Sequence, residues 1–316
     1  MHVVAALLSY PPIRYIGSEL ATAHLLEALV ARGHTATVTV GERAGWRGWT
    51  HNGVRVVHRR DWRKAGRPDV VLVHADAHLP GTLLARRSRC PVVAFAHNGQ
   101  ASVATGLRQS KPALVCVAAD WLRAELGHPD ALLVRPWTDV YVDPTHGDAV
   151  TLINLNENKG GDLFWRLVAA MPDVDFLGVR GGYGVQVDAP FERPGNATVL
   201  PHMPADDMDA RVWSRTRVLL MPSQRETWGR TAVEASARGV PVVAHPAPGL
   251  RECLGDAGTF VDRGDVGGWV AAVRRLLDGR RWPAASRRAV AHARALDLDV
   301  DVDTFCTAIE TLGRPS

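Results

Sequence analysis

The chain alternates short apolar segments with longer amphipathic ones, and this alternation restricts its fold more than any other feature. The first apolar run, residues 2–9, ends at a loop containing two prolines, and a segment with helical spacing of Leu and Ala follows and closes at Gly33. A second apolar run, residues 35–40, comes directly after it. Continuous apolar runs are typical of parallel strands that helices cover on both faces. The first 40 residues therefore predict the opening βαβ unit of a doubly wound α/β sheet.

The same alternation continues along the chain and predicts two domains. A stretch that mixes Pro, Gly and Asp, residues 138–148, interrupts the pattern, and a second alternating set begins at Val150. A chain of 316 residues is also long enough for two hydrophobic cores. We therefore predict two Rossmann-like domains that face each other across a cleft, over residues 1–147 and 148–301. A last helix, residues 302–316, is expected to pack back on the first domain.

Composition narrows the class of protein. With 46% hydrophobic and 22% charged residues, the chain has the composition of a globular protein, which excludes wholesale disorder. The sequence has no apolar run of about 18 residues, so we expect no transmembrane segment, and its first residues do not resemble a signal peptide. The four cysteines are scattered without the spacing of a metal site, which predicts reduced thiols and a cytoplasmic protein.

Positive charge is concentrated in the N-terminal half. Residues 1–147 carry 17 Arg and Lys against 11 Asp and Glu, whereas the remainder carries 20 against 22. The densest clusters are residues 55–64 and 86–89. A solvated surface explains such clusters more often than a binding site does. The alternative is attraction of an anionic partner such as a phospholipid surface, nucleic acid or acidic metabolite, which includes peripheral attachment to a membrane.

The segment of residues 222–235, PSQRETWGRTAVEA, carries the most information about function. An apolar strand precedes it, Glu226 lies in a polar loop, and Glu234 falls in the first turns of the helix that follows. In α/β folds, a loop at the carboxyl end of a strand followed by a helix N-terminus is where anions bind. Taken alone, two glutamates at this spacing are usually ordinary surface residues. The surrounding sequence therefore decides how the pair is interpreted.

This segment resembles the E-x7-E signature of retaining glycosyltransferase family 4, whose members have the GT-B fold. The offset from Glu226 to Glu234, the aromatic-glycine pair Trp228-Gly229 and the downstream residues 235–265 all fit that signature. The resemblance extends over the chain in pattern and over residues 220–265 in specific motif. It implies a glycosyltransferase that moves a sugar from a nucleoside-diphosphate sugar to an acceptor hydroxyl. It also implies retention of anomeric configuration and no need for a metal or other cofactor.

The resemblance also implies roles for residues of the second domain. Glu234 would bind the ribose hydroxyls of the nucleotide, and Lys159 would hold the diphosphate. The donor sugar would be held by the Glu226 side chain and by the backbone amides of Thr227, Trp228 and Gly229. Family members usually add an arginine a few residues before the lysine, but this chain has Asn154-Leu155-Asn156 there. Either Asn156 and backbone amides replace that arginine, or another arginine such as Arg180 or Arg225 contacts the diphosphate instead.

Two residues of the first domain are implied as well. His97 follows a predicted strand where the family often carries a histidine near the donor sugar, and it would orient that sugar or the acceptor. Gly17 lies in a loop where family members often have two adjacent glycines, and its amide would approach the donor.

Two acidic or histidine-rich segments imitate metal sites. These are the aspartates of LDLDVDVD, residues 296–303, and the HADAH run, residues 74–78. We interpret the first as helix caps and solvated side chains and the second as the end of a strand. The alternatives to a transferase are a GT-B-fold nucleotide-sugar epimerase or phosphorylase, and a non-catalytic sugar-nucleotide-binding protein. The sequence leaves the acceptor open among lipids, glycans, natural products and modified nucleic acid.

Overall fold

A computed structural model describes residues 1–12, 17–41, 48–145, 147–190 and 195–313. The chain divides into two compact units, which are described separately. The first unit comprises Met1–Trp137 and Leu298–Ser316, and the second comprises Thr138–Asp297.

Among its described residues, the first unit contains an eight-stranded sheet in the order β3-β4-β2-β1-β5-β6-β7-β8. Of the strands in the described ranges of this unit, only β3 runs antiparallel to its neighbour. The strands are β1 (His2–Leu7), β2 (Thr35–Val40), β3 (Trp49–His51), β4 (Val54–His58), β5 (Val70–His74), β6 (Val92–Ala96), β7 (Leu114–Val117) and β8 (Leu132–Leu133). The helices are α1 (Gly17–Ala31), α2 (Leu79–Ser88), α3 (Ala101–Ser110) and α4 (Trp121–Leu126), together with the short 3-10 helices Arg59–Ala65 and Ala75–Ala77.

The described part of the second unit forms a six-stranded parallel sheet in the order β11-β10-β9-β12-β13-β14. Its strands are β9 (Ala149–Ile153), β10 (Phe176–Val179), β11 (Ala197–Leu200), β12 (Thr216–Met221), β13 (Val242–Ala244) and β14 (Thr259–Phe260). Its helices are α5 (Gly161–Ala170), α6 (Met208–Arg211), α7 (Arg230–Ala237), α8 (Pro248–Leu254), α9 (Val266–Leu277) and α10 (Trp282–Ala295), with 3-10 turns at Ala205–Asp207, Trp213–Arg215 and Gly255–Ala257. The last helix of the chain, α11 (Leu298–Leu312), belongs to the first unit.

Both sheets carry hydrophobic cores on their two faces, as the continuous apolar strands predict. In β1, Val3 and Ala5 face a core that includes Leu26, whereas Val4 and Ala6 face the opposite core. Side chains alternate across a strand, so a fully apolar strand must be covered on both sides. The α/β class with two doubly wound parallel sheets is therefore confirmed.

The structure places the limits of the units differently from the sequence. Residues 138–147, expected in the first domain, belong to the second unit. The last helix begins at Leu298 and not at 302, because Leu298, Asp301 and Val302 all turn inward and the aspartate finds a partner there. Arg135 donates to both carboxylate oxygens of Asp301, at 2.6 and 2.8 Å, and this ion pair fixes the start of α11 to the first unit.

No helix in the described part of the chain is both long enough and apolar enough to span a lipid bilayer.

Candidate functional site

The strand order of the second unit determines where a ligand site can form. Numbered from its first strand, the order is 3-2-1-4-5-6, and the direction of winding reverses between β9 and β12. In open α/β sheets the loops that leave adjacent strands at such a reversal diverge to opposite faces and leave a crevice at the carboxyl edge. Here those loops run from β9 to α5 and from β12 to α7. Gln224 N donates to Asn158 O at 3.0 Å and joins the two loops.

An ion pair also joins the two loops. Lys159 Nζ, from the loop after β9, donates to Glu226 Oε2, from the loop after β12. The two side chains are only 17% and 16% exposed, so both charges are largely withdrawn from water. Burial alone would lower the pKa of Lys159, but the negative charge of Glu226 and its hydrogen bond to the ammonium outweigh that effect and leave the pKa above its ordinary value. The ammonium therefore stays protonated at neutral pH.

Asparagines occupy the place where the family pattern has an arginine. Asn156 Oδ1 accepts a hydrogen bond from Lys159 N at 2.8 Å, and this bond shapes the turn that presents the lysine. Asn154 Oδ1 accepts from Gln186 Nε2 at 3.0 Å, which ties the turn to the loop after β10. Of the two arginines considered as substitutes, Arg180 pairs with Asp188 and Arg225 is exposed.

Arg263 organises the site, and sequence reasoning missed it. Its guanidinium donates to the carbonyl oxygens of Glu157 at 2.6 Å and Asn158 at 3.0 Å in one loop, and to Pro222 O at 3.3 Å in the other. It also pairs with Asp162 at 2.6 Å, at the start of α5. The available signal was the polar turn VDRGD after a predicted strand, but nothing local in it indicates that the arginine reaches back about 100 residues.

The E-x7-E segment forms the start of α7. Gly229 caps the helix with φ of 91°, and a Cβ there would lie 2.8 Å from Leu250 Cδ2 and 3.0 Å from Cys253 Sγ. Both the backbone conformation and the packing therefore require glycine. Trp228 is buried beside it and Thr227 is half-buried. Glu234 lies one turn into the helix, and its carboxylate forms an ion pair with Arg230 at 3.0 Å.

In the first unit, His97 packs directly after β6. Its ring stacks on Phe95 with centroids 4.5 Å apart and meets His74, the last residue of β5, at 4.3 Å. Burial and the neighbouring His74 lower the pKa of His97 well below its ordinary value, and burial lowers the pKa of His74 to about 4. Both rings are therefore neutral at pH 7. Thr22 Oγ1 lies 2.8 Å from His74 Nε2, whereas His97 Nε2 is buried without a hydrogen-bond partner among the described residues.

Gly17 is the first residue of α1 and is exposed. A Cβ at this position would contact nothing within 4 Å, so the structure gives no steric reason for glycine there. The loop residues before it, Ile13 to Ile16, lie outside the described residues. The predicted site residues thus fall into two sets, Gly17 and His97 in the first unit, and Lys159 with the segment from Glu226 to Glu234 in the second.

The segments that imitate metal sites have other partners. Asp299 accepts from Trp137 Nε1 at 2.8 Å and Asp303 pairs with Arg32 at 2.7 Å, so these aspartates fix α11 in the same way as Asp301. In the HADAH run, the His78 ring nitrogens lie within hydrogen-bond distance of Thr82 and Gln109. In the part of the chain that the structure describes, no group of three or more His, Cys, Asp or Glu is placed to hold a metal ion.

Comparisons with known proteins show similarity to glycosyltransferases. Residues 151–279, which include Lys159 and the whole E-x7-E segment, match the sequence profile described as Glycosyl transferases group 1. A D-inositol 3-phosphate glycosyltransferase of Mycobacterium sp. (strain KMS) is 34% identical over 164 residues, 48% of this chain and 37% of the relative. The D-inositol 3-phosphate glycosyltransferase of Mycobacterium marinum is 30% identical over 209 residues, which are 59% of this chain and 45% of the relative. The matches thus span less than half of these relatives' lengths.

Solved structures extend the similarity in fold to nearly the whole chain. Anabaena HepE in complex with UDP-glucose superposes with a TM-score of 0.78 at 15% identity, covering 99% of this chain and 100% of that one. Sucrose-phosphate synthase from Thermosynechococcus elongatus gives 0.77 at 14% identity, covering 99% of both chains. Both are GT-B glycosyltransferases. The resemblance to the group 1 glycosyl transferases is therefore confirmed over residues 151–279, and the chain as a whole has the GT-B fold.

Proposed function

We propose that this protein is a retaining glycosyltransferase that moves a sugar from a nucleoside-diphosphate sugar to an acceptor hydroxyl, and that it needs no metal or other cofactor. The observation that carries the proposal is the Lys159–Glu226 pair, which places a cation and a carboxylate side by side at the winding reversal of the second sheet. A diphosphate needs the cation, and sugar hydroxyls need the carboxylate.

The diphosphate is assigned to Lys159. A lysine ammonium has three N–H donors, and the bond to Glu226 uses one of them, so two remain for phosphate oxygens. The raised pKa keeps the positive charge in place while negative charge builds on the departing phosphate. A permanently charged, largely buried ammonium supplies the stabilisation that a divalent cation provides in other transferases. Arg263 acts through backbone carbonyls of both loops and is a positioning residue.

The remaining roles follow the family pattern. Glu234 binds the ribose, and the Glu226 carboxylate with the amides of Thr227, Trp228 and Gly229 holds the donor sugar. A neutral His97 can donate a hydrogen bond from one ring nitrogen and accept one at the other, which suits a sugar hydroxyl. Gly17 offers its backbone amide to the donor. Retention without a nucleophile requires attack from the face that the leaving group occupies, with the departing phosphate accepting the proton of the acceptor hydroxyl.

The acceptor is proposed to be a phosphate-bearing polyol. The curated relatives described above are named D-inositol 3-phosphate glycosyltransferases, and the first 147 residues of this chain carry a net positive charge, 17 basic against 11 acidic residues. A positive field around the acceptor side would raise the local concentration of an anionic acceptor.

The test is release of nucleoside diphosphate from UDP-, GDP-, ADP- and dTDP-glucose, with and without inositol 3-phosphate, each measured first without EDTA and then with it. We expect acceptor-dependent release from one donor, an α-linked product by proton NMR, and loss of turnover in Lys159→Gln and Glu226→Gln. A β-linked product would refute retention. Nucleotide binding without release from any donor would refute the transferase and favour the non-catalytic alternative. Loss of turnover on adding EDTA, restored by a divalent cation, would refute metal independence.

A further inference from the structure

Two basic segments that lie about 20 residues apart in sequence meet at a cavity in the first unit. The cavity has a volume of about 450 Å³ and is lined mainly by Trp62, Arg67, Leu84, Arg87 and Arg89. Gly66 and Arg67 precede β5, and Ser88 and Arg89 precede β6, so the cavity lies at the amino-terminal end of the sheet. His74 and His97 lie at the other end of these strands, about 16 Å away for a five-residue strand.

The arginines of this cavity lack acidic partners. Arg67, Arg87 and Arg89 are exposed, and none of them forms an ion pair with a carboxylate of the described residues. Arg87 lies over the Trp62 ring, 5.0 Å from its centroid, and Arg63 lies 5.5 Å from the same centroid.

Two acidic residues near the cavity make other contacts. Asp61 pairs with Lys64 at 3.2 Å, and Asp69 accepts from the backbone N–H of His2 at 2.7 Å. The walls of the cavity therefore carry three arginines that form no ion pair with a described carboxylate.

We propose that this cavity is a binding site for a phosphate-bearing anion. Guanidinium groups match phosphate oxygens with paired N–H donors, and three of them around one concavity reduce their mutual repulsion when they share an anion. Trp62 and Leu84 provide an apolar wall for the carbon skeleton that carries the phosphate. The volume is within the range of small-ligand pockets. The proposal does not depend on the transferase activity, since none of these residues belongs to the site described above.

The phosphate can come from a soluble metabolite or from a lipid headgroup, and α2 offers a way to tell these sources apart. Leu79 and Leu83 are 59% and 49% exposed. With Arg87 they stand at i, i+4 and i+8 and therefore share one stripe of the helix. A lipid-borne phosphate in the cavity would bring these leucines against the acyl region, whereas a soluble phosphate would leave them in water.

The experiment compares two triple variants of the full chain. One replaces Arg67, Arg87 and Arg89 with Gln, and the control replaces Arg275, Arg287 and Arg288, three exposed arginines of the second unit. Both lose the same charge, so binding elsewhere on the protein changes equally and cancels in the comparison. The probes are inorganic pyrophosphate, followed by calorimetry, and vesicles of 30% phosphatidylglycerol in phosphatidylcholine, followed by co-sedimentation at 0.15 M salt. Circular dichroism checks that both variants remain folded.

We expect the cavity variant to bind at least one probe at least tenfold more weakly than the control, with a loss of about 100-fold for vesicles if each arginine contributes about one factor of five. A further variant, Leu79→Ser with Leu83→Ser, assigns the source. Weaker vesicle binding together with unchanged pyrophosphate binding supports a lipid headgroup, and no change in either supports a soluble phosphate. Equal binding by the cavity variant and the control, or no binding of either probe by the unmodified protein, would overturn the proposal.

Discussion

Replacement of Gly229 by alanine tests whether the start of α7 is held in place by packing. The residue has φ of 91°, a conformation that costs an L-residue about 1–2 kcal/mol. A Cβ would also lie 2.8 Å from Leu250 Cδ2 and 3.0 Å from Cys253 Sγ. Ordinary contacts are about 3.5–4.0 Å, so α7 or α8 must move by about 0.5–1 Å. Overpacking of this size costs a further 1–3 kcal/mol or so.

We therefore expect Gly229→Ala to lower the free energy of unfolding by about 2–5 kcal/mol. A matched control is Gly33→Ala, because Gly33 has φ of 85° but nothing within 4 Å of its Cβ position. The control should show the backbone cost alone, about 1–2 kcal/mol. Urea unfolding measures both variants. Because the Gly229 amide belongs to the proposed donor loop, Gly229→Ala should also weaken nucleoside diphosphate binding at least tenfold, whereas Gly33→Ala should leave that binding unchanged.

The reasoning fails if the two glycine variants lose the same stability, since the contacts of Gly229 with Leu250 and Cys253 would then contribute nothing. It also fails if Gly229→Ala is destabilised as expected but binds nucleoside diphosphate with unchanged affinity. In that case the start of α7 would not be part of the donor site.

Three further predictions follow from the same geometry. Lys159→Gln should weaken nucleoside diphosphate binding by at least tenfold in calorimetry. The substitution removes the cation and leaves the largely buried Glu226 carboxylate without its partner. The control Lys111→Gln, at an exposed lysine, should leave that binding unchanged. Stability should fall as pH drops from about 6.5 towards 4, because folded His74, with its pKa near 4, takes up a proton later than the unfolded chain does. His74 alone should place the free energy of urea unfolding at pH 5 about 2 kcal/mol below that at pH 8, and the neutral His97 ring adds to this loss. An unchanged value would contradict neutral buried rings. Asp301→Asn should cost about 3 kcal/mol in the same assay, since it leaves the largely buried Arg135 guanidinium without its carboxylate, and a loss under 0.5 kcal/mol would show that the pair does not anchor α11.

Much of the site was predictable because its signals are local in sequence. Lys159 and the segment from Glu226 to Glu234 each follow an apolar strand and precede a helix, and the structure places both at the carboxyl edge of the second sheet. Arg263 was not predictable in this way. Its partners lie about 40 and 100 residues earlier in the chain, and only the folded sheet brings those loops to its guanidinium.

The contacts of the last helix were also not predictable from the sequence. The aspartates of residues 297–303 were interpreted as caps and solvated side chains, because alternating Asp and apolar residues give no indication of what they contact. In the fold, Asp301 and Asp299 bind Arg135 and Trp137, and the helix begins four residues earlier than expected. Likewise, the basic segments around Arg63 and Arg87 were separate clusters in the sequence, and packing places both beside the Trp62 ring.

The sequence by itself determined the class of fold, the presence of two cores and the segments that are proposed to bear the donor chemistry. Apolar periodicity and the residues flanking a strand act over a few residues, so they can be read without knowledge of any partner. Tertiary structure alone decided the order of the strands, because pairing joins segments far apart in the chain. That order places the winding reversal between β9 and β12, and it is at this reversal that Lys159 meets Glu226.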